Sequence, residues 1–205
     1  MVIDTIVISI VISLMSIPLP KLLMPSAVQS AALQILSVAC AWLFFYHVSV
    51  VWMVYLSFND ETFWVFLPAG VRLVAVILFG WVGVAGVFIG SLLTPDDVAF
   101  SHVLVLSAVS ALAPQLALLL GRRLLHLSAT LASLNPMHLA VLTVMASSVN
   151  ALLRVGILDL LGNSQPVFNL LPMFVGDLVG TFMIFYLCLA LLWGIRHWFR
   201  LSEPD

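Results

Sequence analysis

Apolar segments about as long as a bilayer is thick recur along the chain, and short breaks rich in proline, glycine and polar residues separate them. Hydrophobic residues make up 63% of the 205 residues and charged residues only 8%. An ordinary soluble domain averages about 45–50% apolar and about 25% charged residues. A spanning helix needs roughly 20 apolar residues, so the chain has room for about six spans. The sequence predicts an all-α polytopic membrane protein, with residues 1–205 forming one integral membrane domain and one helical bundle.

Prolines, glycines and acidic residues mark the ends of the predicted helices, because a helix interior disfavours them. The first five predicted helices cover about residues 2–17, 26–58, 68–93, 98–120 and 137–158. The sixth begins between residues 168 and 172 and ends within residues 196–200. The first lacks the basic region and small-residue cleavage site of a secretory signal, so we expect it to be retained. The glycines in Gly80-Trp81-Val82-Gly83 indicate a bend within the third helix.

The basic residues predict an orientation, because Lys and Arg near helix ends are retained preferentially in the cytoplasm. With six spans both termini share a face, and we expect that face to be the cytoplasmic side of a bacterial inner membrane. The residues expected there are Arg122, Arg123, Arg196 and Arg200, with Arg72 nearby. The residues expected on or near the opposite face are Lys21, Asp96, Asp97, Arg154 and Asp159.

Several function classes have no support in the sequence. The chain has no nucleotide-binding lysine motif, no HExxH, no CxxC and no GxSxG, and no soluble segment long enough for a catalytic domain. Cys40 and Cys188 stand alone in apolar stretches, which indicates neither a disulfide nor a metal site. The formal net charge of -2 does not favour nucleic acid. We therefore expect no enzyme activity, no cofactor, no metal and no nucleic-acid partner.

Two GxxxG motifs predict close helix packing, since small residues let membrane helices approach each other. The first contains Gly86 and Gly90 in the third predicted helix, and the second contains Gly176 and Gly180 in the sixth. These helices run antiparallel in the six-span prediction. The two glycine pairs therefore either face each other, or each pair relieves crowding against another neighbour.

Asp177 lies between the second pair of glycines, at a depth where an unpaired carboxylate costs about 2.5–3.5 kcal/mol at the helix centre. By helical rise, Arg154 of the fifth helix lies at a matching level, with Asn150 one turn away. Arg72 lies at the wrong level unless the third helix breaks near Gly80. The sequence thus favours Arg154 as the partner of Asp177, either in a structural ion pair or in a ligand or proton site.

Other polar residues within the spans have ordinary explanations. Arg72 extends to the cytoplasmic interface or binds an anionic headgroup or ligand. Interhelical hydrogen bonds are the expectation for Gln115, His47 and His102.

Three short motifs resemble the MASE1 family of membrane sensor domains over about residues 63–195. They are Phe66-Leu67-Pro68-Ala69-Gly70, then Gly86-Val87-Phe88-Ile89-Gly90, and finally Gly176-Asp177-Leu178-Val179-Gly180. The resemblance implies a multi-helix sensor that detects a signal in the membrane and passes it to a cytoplasmic output domain. The residues that match positions of the family's motifs are Pro68, Gly70, Gly90, Gly176, Asp177 and Gly180.

The leading hypothesis is therefore a membrane-embedded sensor or ligand-binding module that signals through a separate membrane or cytoplasmic protein. Its polar core comprises Asp177, Arg154, Asn150 and Arg72. One alternative is a substrate-binding subunit of a small-molecule transporter, similar to the S components of energy-coupling-factor systems. Another is a structural subunit of a membrane complex. The expected partners are the lipid bilayer, a protein and a small molecule.

Overall fold

The structure, a computed structural model, describes residues 27–52, 55, 57–59, 62–94, 99–126, 134–162 and 166–201. The first predicted helix, residues 2–17, lies outside the described residues. The described helices are α1 (Ala27–Trp52), α2 (Pro68–Phe79), α3 (Trp81–Leu92), α4 (Phe100–Leu124), α5 (Pro136–Leu160) and α6 (Leu170–Leu201). Two short antiparallel strands, β1 (Ser57–Asn59) and β2 (Thr62–Phe63), connect α1 to α2. A single 3-10 turn, Pro166–Asn169, precedes α6.

Four of the described helices are long and apolar enough to cross a membrane. Their apolar spans are Val28–Val51, Phe100–Leu124, Pro136–Leu160 and Val167–Leu191. They correspond to the second, fourth, fifth and sixth predicted helices. The chain is thus a helical membrane protein, but the predicted count of six spans is not confirmed.

The third predicted span is not one helix, because the chain reverses at Gly80. This residue has φ 56° and ψ −125°, a backbone conformation open to glycine and strained for other residues. It separates α2 from α3, and each of these helices has 12 residues. Twelve residues rise about 18 Å, well short of a hydrocarbon core of about 30 Å.

The contacts with α1 show that α2 and α3 are antiparallel. Ser49 near the end of α1 accepts a hydrogen bond from the N–H of Leu67, whereas Trp42 lies next to Arg72, so α2 runs against α1. In α3, Gly86 packs on Val38 and Gly90 packs on Trp42, so α3 runs with α1. The bend predicted at Gly80 and Gly83 is therefore a full reversal, and α2 and α3 form a re-entrant hairpin.

The hairpin sets the direction of every later helix. Both of its outer ends point towards the Trp52 end of α1, and Gly80 points towards the Ala27 end. Helix α4 then runs to the Ala27 end, α5 returns alongside it with Leu142 against Gly121, and α6 runs to the Ala27 end again. This places Arg122 and Arg123 at the same end of the bundle as the C-terminus of α6.

The main core lies where α1, the hairpin, α4 and α5 meet. Its buried side chains are Val38, Trp42, Ala75, Val76, Val84, Val87, Ala111, Leu118, Leu134 and Leu142. A smaller cluster between α5 and α6 contains Ala151, Leu158 and Met173. Most large exposed side chains on the four long helices are apolar, for example Phe44, Leu119 and Leu152, as expected for surfaces that face lipid.

Candidate functional site

Three buried polar residues from three helices meet in the bundle. The Nη2 atom of Arg72 on α2 lies 2.7 Å from Oδ1 of Asp177 on α6. The Nδ2 atom of Asn150 on α5 donates a 2.6 Å hydrogen bond to Oδ2 of the same carboxylate. Only 3% of Arg72 and 4% each of Asn150 and Asp177 is exposed. Asp177 thus links the re-entrant hairpin to both α5 and α6, and we name these three residues the polar trio.

Two aromatic rings surround the guanidinium of Arg72. Its Cζ atom lies 6.0 Å from the centroid of the Trp42 ring and 5.8 Å from that of Phe66, and the two rings contact each other edge to face. The indole N–H of Trp42 donates to the hydroxyl of Thr94 at 3.0 Å, which fixes the indole. Contacts between a cation and a ring are worth about 2 kcal/mol when both are desolvated, so the rings compensate part of the cost of burying Arg72.

The start of α2 determines where Arg72 sits. Pro68 occupies the first turn, where its missing N–H costs nothing. The N–H of Leu67, which would otherwise be buried without an acceptor, donates to Oγ of Ser49 at 3.2 Å. Arg72 follows one turn later and points at Asp177. The sequence Leu67-Pro68 therefore starts a short helix inside the bundle.

The two glycines that flank Asp177, Gly176 and Gly180, pack against the main chain of a non-helical segment and not against another helix. Residues 63–67, which we name the extended segment, lie against α6 at Gly176 and Gly180. A Cβ atom at either glycine would collide with a carbonyl oxygen of Phe63 or Phe66. The N–H of Phe66 donates to the carbonyl of Gly176 at 3.0 Å. Non-helical backbone at this depth needs such protein partners because lipid supplies none.

The polar trio is neutral as a whole, but one of its acceptors is unused. Arg72 and Asp177 compensate each other's charge, and the hydroxyl of Thr181 donates to the main-chain carbonyl of Asp177 at 2.7 Å. Oδ1 of Asn150 is buried and has no hydrogen-bond partner among the described residues. The amide cannot be turned over, since Oδ1 would then face a carboxylate oxygen. A buried acceptor without a donor costs about 1–3 kcal/mol.

The structure corrects the predicted partner of Asp177. The sequence favoured Arg154 and placed Arg72 at the wrong level, but Arg72 forms the ion pair with Asp177. The depth of Arg72 was measured along one continuous helix, and the reversal at Gly80 invalidates that measurement. Arg154 lies half-buried on α5, one turn beyond Asn150. Arg72 also does not extend to an interface, since it is buried.

The two GxxxG motifs do not face each other. Gly86 and Gly90 pack on α1, at Val38 and Trp42, while Gly176 and Gly180 pack on the extended segment. The structure therefore agrees with the expectation that each motif relieves crowding against a different neighbour.

The other predicted polar residues lie apart from the ion pair. Gln115 is buried on α4, and its Oε1 atom has no hydrogen-bond partner among the described residues. His47 is exposed and His102 is half-buried. Within the described part of the chain, no group of three or more His, Cys, Asp or Glu side chains is placed to hold a metal.

Sequence reasoning missed Trp42, Phe66 and Ser49. Nothing distinguishes Trp42 from the other aromatic residues of the apolar segments. Phe66 is next to the Leu67-Pro68 helix start, and its position there was the available signal.

The fold and the polar trio define a polytopic helical membrane protein with a re-entrant hairpin and a buried ion pair. No protein family, curated protein or solved structure matches the chain.

Proposed function

We propose that this protein is a membrane-embedded sensor or ligand-binding module that acts through a separate protein, with the polar trio as its responsive element. The observation that carries the proposal is the ion pair of Arg72 with Asp177, which is joined by Asn150 and buried in an apolar bundle. Buried ion pairs are seldom more stabilising than apolar side chains of the same volume. Ionisable residues inside a membrane therefore favour a functional explanation.

The position of the ion pair suggests how a signal leaves the site. It ties the hairpin to α6, and α6 has 32 residues, or about 48 Å by helical rise. The apolar span of α6 ends at Leu191, whereas the helix continues to Leu201. A ligand or partner that competes for Arg72 or Asp177 would release the hairpin from α6. The resulting movement of α6 would reach the last ten residues of that helix, outside the hydrocarbon core.

The MASE1-like resemblance remains part of this proposal. Pro68 begins the helix that carries Arg72, Gly70 packs on Ile184 of α6, and Gly176 and Gly180 receive the extended segment. The positions that carry the resemblance on α2 and α6 therefore cluster around the ion pair, as expected for a sensor whose signal acts there.

We also propose that the Ala27 end of the bundle faces the cytoplasm of a bacterium, whereas the six-span prediction put the start of α1 on the opposite face. The last turn of α4 carries Arg122 and Arg123, and the end of α6 carries Arg196 and Arg200. Retention of basic residues in the cytoplasm then orients the bundle. The outer ends of the hairpin face the opposite side of the inner membrane.

A second candidate is a substrate-binding subunit of a transporter. The re-entrant hairpin favours it, since interrupted helices next to buried polar groups are typical of transport sites. Uptake of a labelled substrate by the reconstituted protein with an energising module would support this candidate over the sensor.

The sensor proposal is tested with Asp177→Asn, which keeps the shape of the side chain and removes its charge. In cells that lack the native gene, we expect wild-type protein to restore the partner's response. We expect Asp177→Asn to fail even when its expression is adjusted so that equal amounts of folded protein are present in the membrane. The matched control is Arg123→Gln, which changes an exposed charge at the Ala27 end. A normal response with Asp177→Asn, together with no partner retained during purification from native membranes, would contradict the proposal.

A further inference from the structure

The unused acceptor of Asn150 indicates the chemistry of a ligand at the polar trio. Oδ1 of Asn150 is buried and unpartnered among the described residues, and the amide is held in place by its hydrogen bond to Asp177. A ligand that completes this site must donate a hydrogen bond. An anion has only acceptors to offer, so it would leave Oδ1 unmatched.

The carboxylate of Asp177 favours a donor that is also positive, provided that this donor takes the place of the guanidinium of Arg72, which compensates the carboxylate in the structure. The unused Oδ1 of Asn150 lies close to the carboxylate of Asp177, because Nδ2 of the same amide is 2.6 Å from that carboxylate. A carboxylate stabilises a nearby cation, and hydrogen bonds from charged donors are about twice as strong as neutral ones. The rings of Trp42 and Phe66 already lie at a favourable distance from one cation, the guanidinium of Arg72.

We propose that Asn150 and Asp177 form a binding site for a small organic cation with N–H donors, such as a primary ammonium group. The proposal rests on the proposed function and adds the ligand class. The ammonium group donates to Oδ1 of Asn150 and to the carboxylate of Asp177, in competition with Arg72. Binding therefore weakens the link between the hairpin and α6, which couples ligand occupancy to helix position.

The test is calorimetric titration of the full chain in lipid nanodiscs at constant ionic strength with three probes. Ethylammonium carries positive charge and N–H donors, tetramethylammonium carries charge without donors, and acetate is an anion. We expect saturable binding of ethylammonium alone. Equal binding of tetramethylammonium, preferred binding of acetate, or saturation by none of the three would overturn the proposal; the last result would mean that a water molecule satisfies Asn150.

Two matched variants locate the site. Asn150→Leu removes the unused acceptor, and with it the hydrogen bond to Asp177, with little change in volume. We expect it to weaken ethylammonium binding by about tenfold or more. Gln115→Leu removes the other amide oxygen that is unpartnered among the described residues, and we expect it to leave the affinity unchanged. The opposite pattern would place the site at α4 and refute the assignment. If Asn150→Leu does not fold, the comparison of the three probes on the wild-type chain decides the question.

The outcomes separate this inference from the proposed function. If ethylammonium does not bind but Asp177→Asn still abolishes the cellular response, the ligand class is wrong and the signalling role stands. If ethylammonium binds but Asp177→Asn has no effect in cells, the ligand class stands and the signalling role is wrong.

Discussion

Removing one partner of the buried ion pair should destabilise the protein far more than removing both. Arg72→Met leaves the carboxylate of Asp177 buried without the guanidinium and keeps its hydrogen bond from Asn150, and Asp177→Asn leaves the guanidinium without this carboxylate. Each should lower the free energy of unfolding by about 3–5 kcal/mol, the usual cost of an uncompensated buried charge. The double variant buries no charge and should lose much less than the sum of about 6–10 kcal/mol expected from the single costs. We expect a coupling free energy of about 3 kcal/mol or more.

The free energies of unfolding can be measured by steric trapping of the four proteins in bicelles. Arg123→Met is the control, since it removes an arginine that is exposed at the end of α4, and we expect a change within about 0.5 kcal/mol. If the losses in free energy of unfolding of the two single variants add up in the double variant, the argument is refuted, because independent sites show no coupling. A double variant as unstable as the sum would mean that Arg72 and Asp177 are needed for separate reasons.

Two further predictions test the hairpin and its packing. In a variant without native cysteines, Tyr55→Cys and Leu93→Cys should react with an impermeant maleimide from the same side of the membrane, and Arg123→Cys from the other. Reaction of Tyr55→Cys and Leu93→Cys from opposite sides would mean that the chain between them crosses the bilayer. Gly180→Ala should destabilise the protein by about 1–3 kcal/mol, because the added methyl meets the carbonyl of the extended segment. Gly156→Ala is the control, since open space surrounds that position, and equal unfolding of the two alanine variants would argue against the close packing.

The sequence predicted the long helices because apolar length is a direct requirement of the bilayer. It did not predict the hairpin, because hydropathy averaged over a window does not register a backbone reversal, and residues 68–93 are apolar apart from Arg72 and Ser91. The only local signal was the pair Gly80 and Gly83, which is equally compatible with a bend.

Because the reversal at Gly80 was not predicted, the sequence predicted only part of the polar trio. Asp177 stood out because a carboxylate in a span needs a partner, and Asn150 was placed beside it by helical periodicity on α5. Arg72 was assigned to the wrong level because its depth depends on the path of the chain, which is a long-range property. The ring of Trp42 has no sequence signature, since its position follows from the packing of α1 on the hairpin, whereas Phe66 could be noticed only from its place before the Leu67-Pro68 helix start.

The reversal at Gly80 also determines the membrane orientation of α4, α5 and α6. A straight helix over residues 68–92 would have 25 residues, the same length as α4 and α5. With α1 held in the orientation that we propose, such a helix would be long enough to cross the bilayer, and α4, α5 and α6 would then insert upside down. Four arginines at the ends of α4 and α6 would have to be translocated, which the insertion machinery resists. A conformational preference at one glycine and the charges of distant helix ends thus reinforce each other during biosynthesis, so that neither alone has to specify the topology.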